Sequence, residues 1–228
     1  HLSIRRQRQM CIRDSLKVNP EKPDPKTVDL AAGVIKEGGI IIYPTDTVYG
    51  IGTDALRSQS VLKVFEIKSR PLTEPMPVAV SGLDMANELA FIPENAKELV
   101  GSFWPGALTV ILRKKPTVPF EATGGGNYVG LRVPNHAVPL AIIRRSGLPL
   151  IATSANKRGG PSPVTAGEAL KQVGEGVDLC LDAGRTEIQK PSTVLDLTKS
   201  PAVILRIGTV SVGAIQKILG RVKVQPIP

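Results

Sequence analysis

Histidine and cysteine are nearly missing from this chain of 228 residues: His1, His136, Cys11 and Cys180 are the whole supply. No C-x-x-C or H-x-x-x-H spacing can be written with them, which excludes the common zinc sites, and two cysteines make no disulfide framework. A lone histidine in the body of the chain leaves a Ser-His nucleophilic site poorly supported. His136 follows Val133-Pro134-Asn135 at an expected helix start, where capping or packing suits it. Aromatic residues make up only 4%, and no stacking motif of the kind that reads single-stranded RNA is visible. Apolar runs fall short of the roughly 18 to 20 residues that cross a bilayer, so no membrane association is expected and the cytoplasm is the simplest compartment. Nothing matches G-x-x-x-x-G-K-S/T, and no G-x-G-x-x-G opens a helix after a strand. A nucleotide, if one binds, must be held by side chains.

What is present is basic charge: 29 Lys and Arg against 20 Asp and Glu give +9, which favours an anionic partner such as a nucleic acid, a nucleotide or an acidic membrane surface. Hydrophobic residues at 42% are enough for one sizeable core, and one domain is expected at residues 21–221. The first fifteen residues are basic and lack the apolar stretch of a secretory signal, so residues 1–20 are expected to be disordered or a non-native leader. The Pro-rich end, 222–228, is expected to be a loose tail.

Helix and strand patterns alternate along the rest. Asp24, Pro25 and Gly38 bracket a first helix with apolar Val28, Ala31, Ala32 and Ile35, and Ile40 to Tyr43 reads as a buried strand stopped by Pro44. Ser58 can cap a second helix that carries Lys68 and Arg70 at its C-terminal end. Further strands are expected at 78–80, 108–112, 129–133, 150–152, 177–181, 193–197 and 203–207, with helices near 82–90, 94–103, 137–145, 165–173 and 211–219. The pattern predicts a single-domain α/β fold, a mixed sheet covered by helices.

Three segments carry chemistry. Tyr43 to Gly50 follows a buried strand, where open α/β sheets bind ligands, although an Asp/Thr turn explains it equally. Lys68 and Arg70 offer a point charge and a planar fork suited to phosphate, or simply cations at a helix C-terminus. Thr153-Ser154-Ala155-Asn156, leading into Gly159-Gly160-Pro161-Ser162-Pro163, gathers donors suited to an anion, or forms an Asx-type turn. Arg132 is either an ion-paired arginine or a carboxylate clamp.

Taken in order, YPTDTVYGIGTDA, KSRP, FWPGALTVIL, VGLRVPNH, TSAN with GGPSPV, DAG, PSTVLDL and ILRIG resemble the YrdC/Sua5 family of L-threonylcarbamoyladenylate synthases, over about residues 27 to 219. The resemblance implies a strongly twisted α/β sheet around a large basic cavity. It implies a reaction in which L-threonine, bicarbonate and ATP, with Mg2+ accompanying the ATP and no protein-built metal site, give threonylcarbamoyl-AMP and pyrophosphate. The product would feed the modification of tRNA to t6A through a downstream transferring complex. By motif position it implies Thr47, Arg132, Ala152 and Ser192 around L-threonine, and Lys68, Arg70, Ser154, Asn156, Ser162 and Arg206 around ATP. Lys68, Arg70, Ser154 and Asn156 would be the catalytic set. Glu74, Ala79 and Tyr128 depart from the family pattern, which often has Asn, His and Thr there; a carboxylate at 74 would repel phosphates unless it turns away or meets a cation. The length is expected to be that of the short YrdC-like form, without the extra C-terminal domain of the longer Sua5 type. Two alternatives are weighed. One is a non-catalytic protein that binds double-stranded RNA or tRNA in the basic cavity. The other is the carbamoyl-adenylate chemistry of the hydrogenase-maturation protein HypF, whose zinc-finger cysteines this chain lacks.

Overall fold

The computed structural model describes residues 15–225. β1 (Leu16–Lys17) precedes α1 (Pro25–Lys36), whose first turn is capped by the Asp24 carboxylate accepting from Thr27 N–H. The apolar stripe of α1, Val28, Ala31, Ala32 and Ile35, is buried as its spacing predicts. β2 (Ile41–Tyr43) and β3 (Gly50–Gly52) form an antiparallel pair around the 44–49 loop. α2 (Ser58–Lys68) follows, but Ser58 is its first residue and not its cap; the Ser58 hydroxyl donates to Glu121 Oε2 instead, a tertiary bond that wins over the local one.

Next come β4 (Val78–Ala79), α3 (Leu83–Leu89), β5 (Ala90–Phe91) and α4 (Glu94–Phe103). β6 (Leu108–Lys114) and β7 (Tyr128–Arg132) flank a 3-10 turn at Glu121–Thr123, and α5 (Ala137–Ser146) is capped by His136. β8 (Leu150–Ile151), β9 (Thr153–Ser154), α6 (Ala166–Val173), β10 (Leu179–Asp182), β11 (Thr193–Asp196), β12 (Val203–Arg206), α7 (Val212–Leu219) and β13 (Lys223–Val224) complete the chain. No helix among the described residues is long and apolar enough to cross a membrane.

Two mixed sheets result, one in the order β1-β10-β2-β3-β9 and a larger one in the order β13-β12-β11-β6-β7-β4-β8, with β5 added on β6. They meet where the chain leaves β8 for β9 through Ala152: Ile151 N–H donates to Thr53, and Ala152 N–H to Pro77. Gly52 makes this junction possible, because a Cβ there would lie 2.5 Å from the Ile151 carbonyl oxygen and 2.8 Å from the Tyr43 ring.

The ordered domain is wider than residues 21–221. Leu16 and Lys17 pair in parallel with Leu181 and Asp182, and Lys223 and Val224 pair with Val203 and Ile204, so strand hydrogen bonds fix both ends. Residues 1–14, most of the expected leader, and 226–228 lie outside the described residues.

The larger sheet sorts its side chains by alternation. Leu108, Val110 and Leu112 of β6, Val129 and Leu131 of β7, and Leu195 of β11 enter the main core. Thr109, Ile111, Gly130, Arg132, Val194 and Asp196 project from the opposite face. That face is not covered by a helix; it is the floor of a cavity.

Candidate active site

The cavity has a volume of about 470 Å³ and is closed above the floor by the 43–48 segment, by Arg70 and Pro75–Pro77, and by Ala152–Ser154. Register orders the floor. Val194, Thr109, Arg132 and Ala79 form one cross-strand row, and Asp196, Ile111 and Gly130 form the next.

Arg132, 8% exposed, is built into the first row by three contacts. Its Nε donates to the Gly106 carbonyl at 2.8 Å, Nη1 to Thr47 Oγ1 at 2.9 Å, and Nη2 to Asp46 Oδ1 at 2.6 Å. Thr47 is itself held by Thr45, whose hydroxyl lies 2.9 Å away and donates to the Val48 carbonyl. Arg132 is therefore ion-paired, and it also faces the cavity with its fork fixed. His136 beyond this loop accepts from Val138 N–H through Nδ1, and burial holds its imidazole below the ordinary value against the opposing pull of Asp46.

The two triplets meet, with divided roles. Ser69 closes α2 in the left-handed conformation, φ 50°, so Lys68 and Arg70 diverge. Lys68, 2% exposed, sends Nζ to the carbonyls of Ser154 and Asn156 at 2.5 and 2.6 Å. Burial, with Arg70 adding in the same direction, brings its ammonium down to about 7. Asn156 donates to the carbonyls of Lys157 and Gly160, and its Oδ1 accepts from the Ser154 hydroxyl. Neither Lys68 nor Asn156 lines the cavity; both hold the loop that presents Ser154 to it. Ser162, half-buried, also lies outside the lining.

Arg70 does line the cavity, with Nε on the Glu74 carbonyl at 3.0 Å and Nη2 on the Pro75 carbonyl at 2.9 Å. Glu74 meets cations: Oε1 accepts from Arg158 at 2.6 Å and Oε2 lies 3.8 Å from Arg70 Nε, and the residue is not in the lining. Across the cavity, Ser192 Oγ lies 2.9 Å from Thr109 Oγ1, and Arg206 donates to the Ser192 carbonyl and hydroxyl at 3.0 and 3.2 Å. Burial, then the Arg132 and Arg70 guanidiniums, hold Arg206 below its ordinary value, so the three cations lie within electrostatic reach of one another. Such a convergence beside hydroxyls suits a polyanion. Ala79 and Tyr128 line the cavity as well, so two of the three family departures change its surface.

Thr47, Arg70, Arg132, Ala152, Ser154, Ser192 and Arg206 thus surround one space. Asp46, Thr109 and Asp196 were not singled out from the sequence. A carboxylate beside Thr47 and single polar residues inside the apolar strands at 108–112 and 193–197 were the available signals. Asp196 is the only carboxylate in the lining, and no group of three or more His, Cys, Asp or Glu residues among the described residues is arranged to hold a metal. This donor set fits Mg2+ only as a companion of phosphate ligands, which with water supply most of its coordination.

The Sua5/YciO/YrdC family model, described as telomere recombination, matches residues 33–208. The threonylcarbamoyl-AMP synthase of Pyrococcus abyssi is 38% identical over 207 residues, 90% of this chain and 61% of its own length. This chain therefore spans about three fifths of that relative. A Mycobacterium tuberculosis relative is 39% identical over 191 residues, 83% of this chain and 88% of its own. A crystal structure of P. abyssi Sua5 complexed with L-threonine superposes with a TM-score of 0.89 at 37% identity, covering 93% of this chain and 63% of that one. From the ordered motifs, the matched fold and these relatives, the chain belongs to the Sua5/YciO/YrdC family.

Proposed function

We propose that this protein is an L-threonylcarbamoyladenylate synthase, an ATP-dependent nucleotidyltransferase that converts L-threonine, bicarbonate and ATP to threonylcarbamoyl-AMP and pyrophosphate. The observation that carries this is the fixed Arg132 fork, a partner for an amino-acid carboxylate, in the same cavity as Arg70, Arg206 and Ser154, partners for phosphates. The relatives' shared activity and the L-threonine in the P. abyssi crystal structure support the same reading.

In this reading Thr47, Arg132, Ala152 and Ser192 seat L-threonine. Its neutral amine takes up CO2 from bicarbonate as a carbamate, losing a proton. A carbamate oxygen attacks the α-phosphorus, the bond to the bridging oxygen breaks, and pyrophosphate leaves. The protein supplies position and positive charge, with no covalent nucleophile. Arg70, Arg206 and Ser154 touch the nucleotide; Lys68, Asn156 and the segment bearing Ser162 act by holding the Ser154 loop. Mg2+ neutralises phosphate charge when bound with ATP. The labile product passes to a t6A-transferring complex acting on tRNA.

Pyrophosphate release should require L-threonine and bicarbonate together, and mass spectrometry should find the adenylate. Release indifferent to threonine, or tight RNA binding with no adenylate, would reject the synthase. Glu74→Gln should change KM for ATP by less than about fivefold, because a partly exposed carboxylate among arginines contributes only about 0–1 kcal/mol. A larger drop in KM, measured by steady-state kinetics, would show that Glu74 repels the nucleotide directly.

A further inference from the structure

Asp196 is the one charged group in the cavity wall that the reaction leaves without a task. It is 8% exposed, and no ion pair among the described residues reaches it, although three arginines line the same cavity. Its Oδ1 is occupied, accepting from Thr198 N–H at 2.8 Å and Thr198 Oγ1 at 2.6 Å. Oδ2 has no hydrogen-bond partner among the described residues and stays accessible. A buried carboxylate in this state is costly unless the occupant of the cavity supplies donors or positive charge.

Its position selects the donor. Ser192, Val194 and Asp196 share one face of the chain leading through β11, so Asp196 lies about 13 Å from Ser192 at ~3.3 Å per residue. β6 separates it from β7, two strand spacings of about 4.8 Å each, which puts it beyond an amino acid anchored at Arg132. The Arg206 guanidinium is directed to Ser192, at the other end. The cavity is thus polarised, with three cations at one end and one carboxylate at the other. The floor beside Asp196 carries Ile111 and Gly130 in its own row and Val194 with Thr109 in the next, and it is apolar apart from the Thr109 hydroxyl, which is bonded to Ser192; a Cβ on Gly130 would come 3.3 Å from the Thr109 methyl.

We infer that Asp196 reads the nucleoside half of ATP, accepting a hydrogen bond through Oδ2 from a ribose hydroxyl or from the adenine 6-amino group while the phosphates lie toward the arginines. This rests on the synthase reading and specifies the orientation of its nucleotide. Both donors present the same chemistry to a carboxylate, and analogues tell them apart.

The test is calorimetric titration of the full chain, without threonine, using ATP, 2′-deoxy-ATP, 3′-deoxy-ATP and inosine triphosphate. The wild type should bind one analogue at least tenfold more weakly than ATP: a deoxy form if the ribose is read, the inosine form if the amino group is. Asp196→Asn keeps an oxygen for the Thr198 turn and should shrink that discrimination to about threefold or less. Equal binding of all four nucleotides by the wild type, or undiminished discrimination in the variant, overturns the inference. A changed Mg2+ requirement with unchanged discrimination also overturns it, in favour of a metal ligand. If the wild type still makes the adenylate in those cases, the synthase reading stands and only the role of Asp196 fails.

Discussion

Arg132→Ala is expected to lower kcat/KM for L-threonine by roughly 30- to 4,000-fold, the range for losing a buried charge pair of about 2–5 kcal/mol at 1.4 kcal/mol per decade. The fork cannot be replaced from nearby, because its three contacts all serve to aim one guanidinium. Arg132→Lys keeps the charge but not the planar fork, and should remain at least tenfold impaired. The alanine variant also strands Asp46, 3% exposed, which already has Oδ2 without a partner among the described residues. Destabilisation by about 3–5 kcal/mol is expected on that ground alone. Adding Asp46→Asn separates the effects: the double variant should recover stability in urea titrations but not activity. A single variant whose KM for threonine stays within threefold would remove the carboxylate clamp.

The same residue shows what a sequence does and does not disclose. Arg132 stands out because a charge ending an apolar strand needs a partner, but that partner, Asp46, lies 86 positions earlier and no local pattern points to it. The apolar segments at 108–112 and 129–133 read as strands and are strands, yet they say nothing of which face is covered. A free face became a cavity floor only through the pairing of β6 with β11 and β7, which is non-local. Gly50–Gly52 carries no strand pattern in the sequence because its two glycines, which let Tyr43 and the Ile151 carbonyl approach, leave only Ile51 to signal it. Lys68 and Arg70 look equivalent in sequence, two cations two residues apart. The left-handed turn at Ser69 sends one into the protein and the other into the cavity.

That division predicts an effect of Lys68→Met that differs from the loss of a phosphate contact. Methionine fills the buried space but leaves the Asn156 carbonyl unbonded, about 1–3 kcal/mol for a buried group, and takes from the Ser154 carbonyl one of its two donors, the other being Asn156 N–H. Relief from burying a charge offsets part of that cost, so the fold should persist while the 154–160 loop loosens. Turnover should fall at least 100-fold, and amide exchange at Arg158, whose N–H bonds the Lys68 carbonyl, and at Gly160 should accelerate. Unchanged exchange with lost turnover would mean that Lys68 touches substrate and does not hold the loop. The pH dependence gives a second readout with a fixed sign. Burial lowers the Lys68 ammonium from its ordinary 10.5 to about 7, although the two carbonyls oppose the shift by favouring the charged form. Between these values the unfolded chain binds more protons than the folded one, so the Lys68 contribution to stability increases as pH rises from about 7 toward 10.5 and is flat below that window. The stability of the wild type relative to Lys68→Met should therefore grow between pH 7 and pH 10, as measured by urea titration; a difference that shrinks over this range would show an ammonium stabilised, not penalised, by its burial.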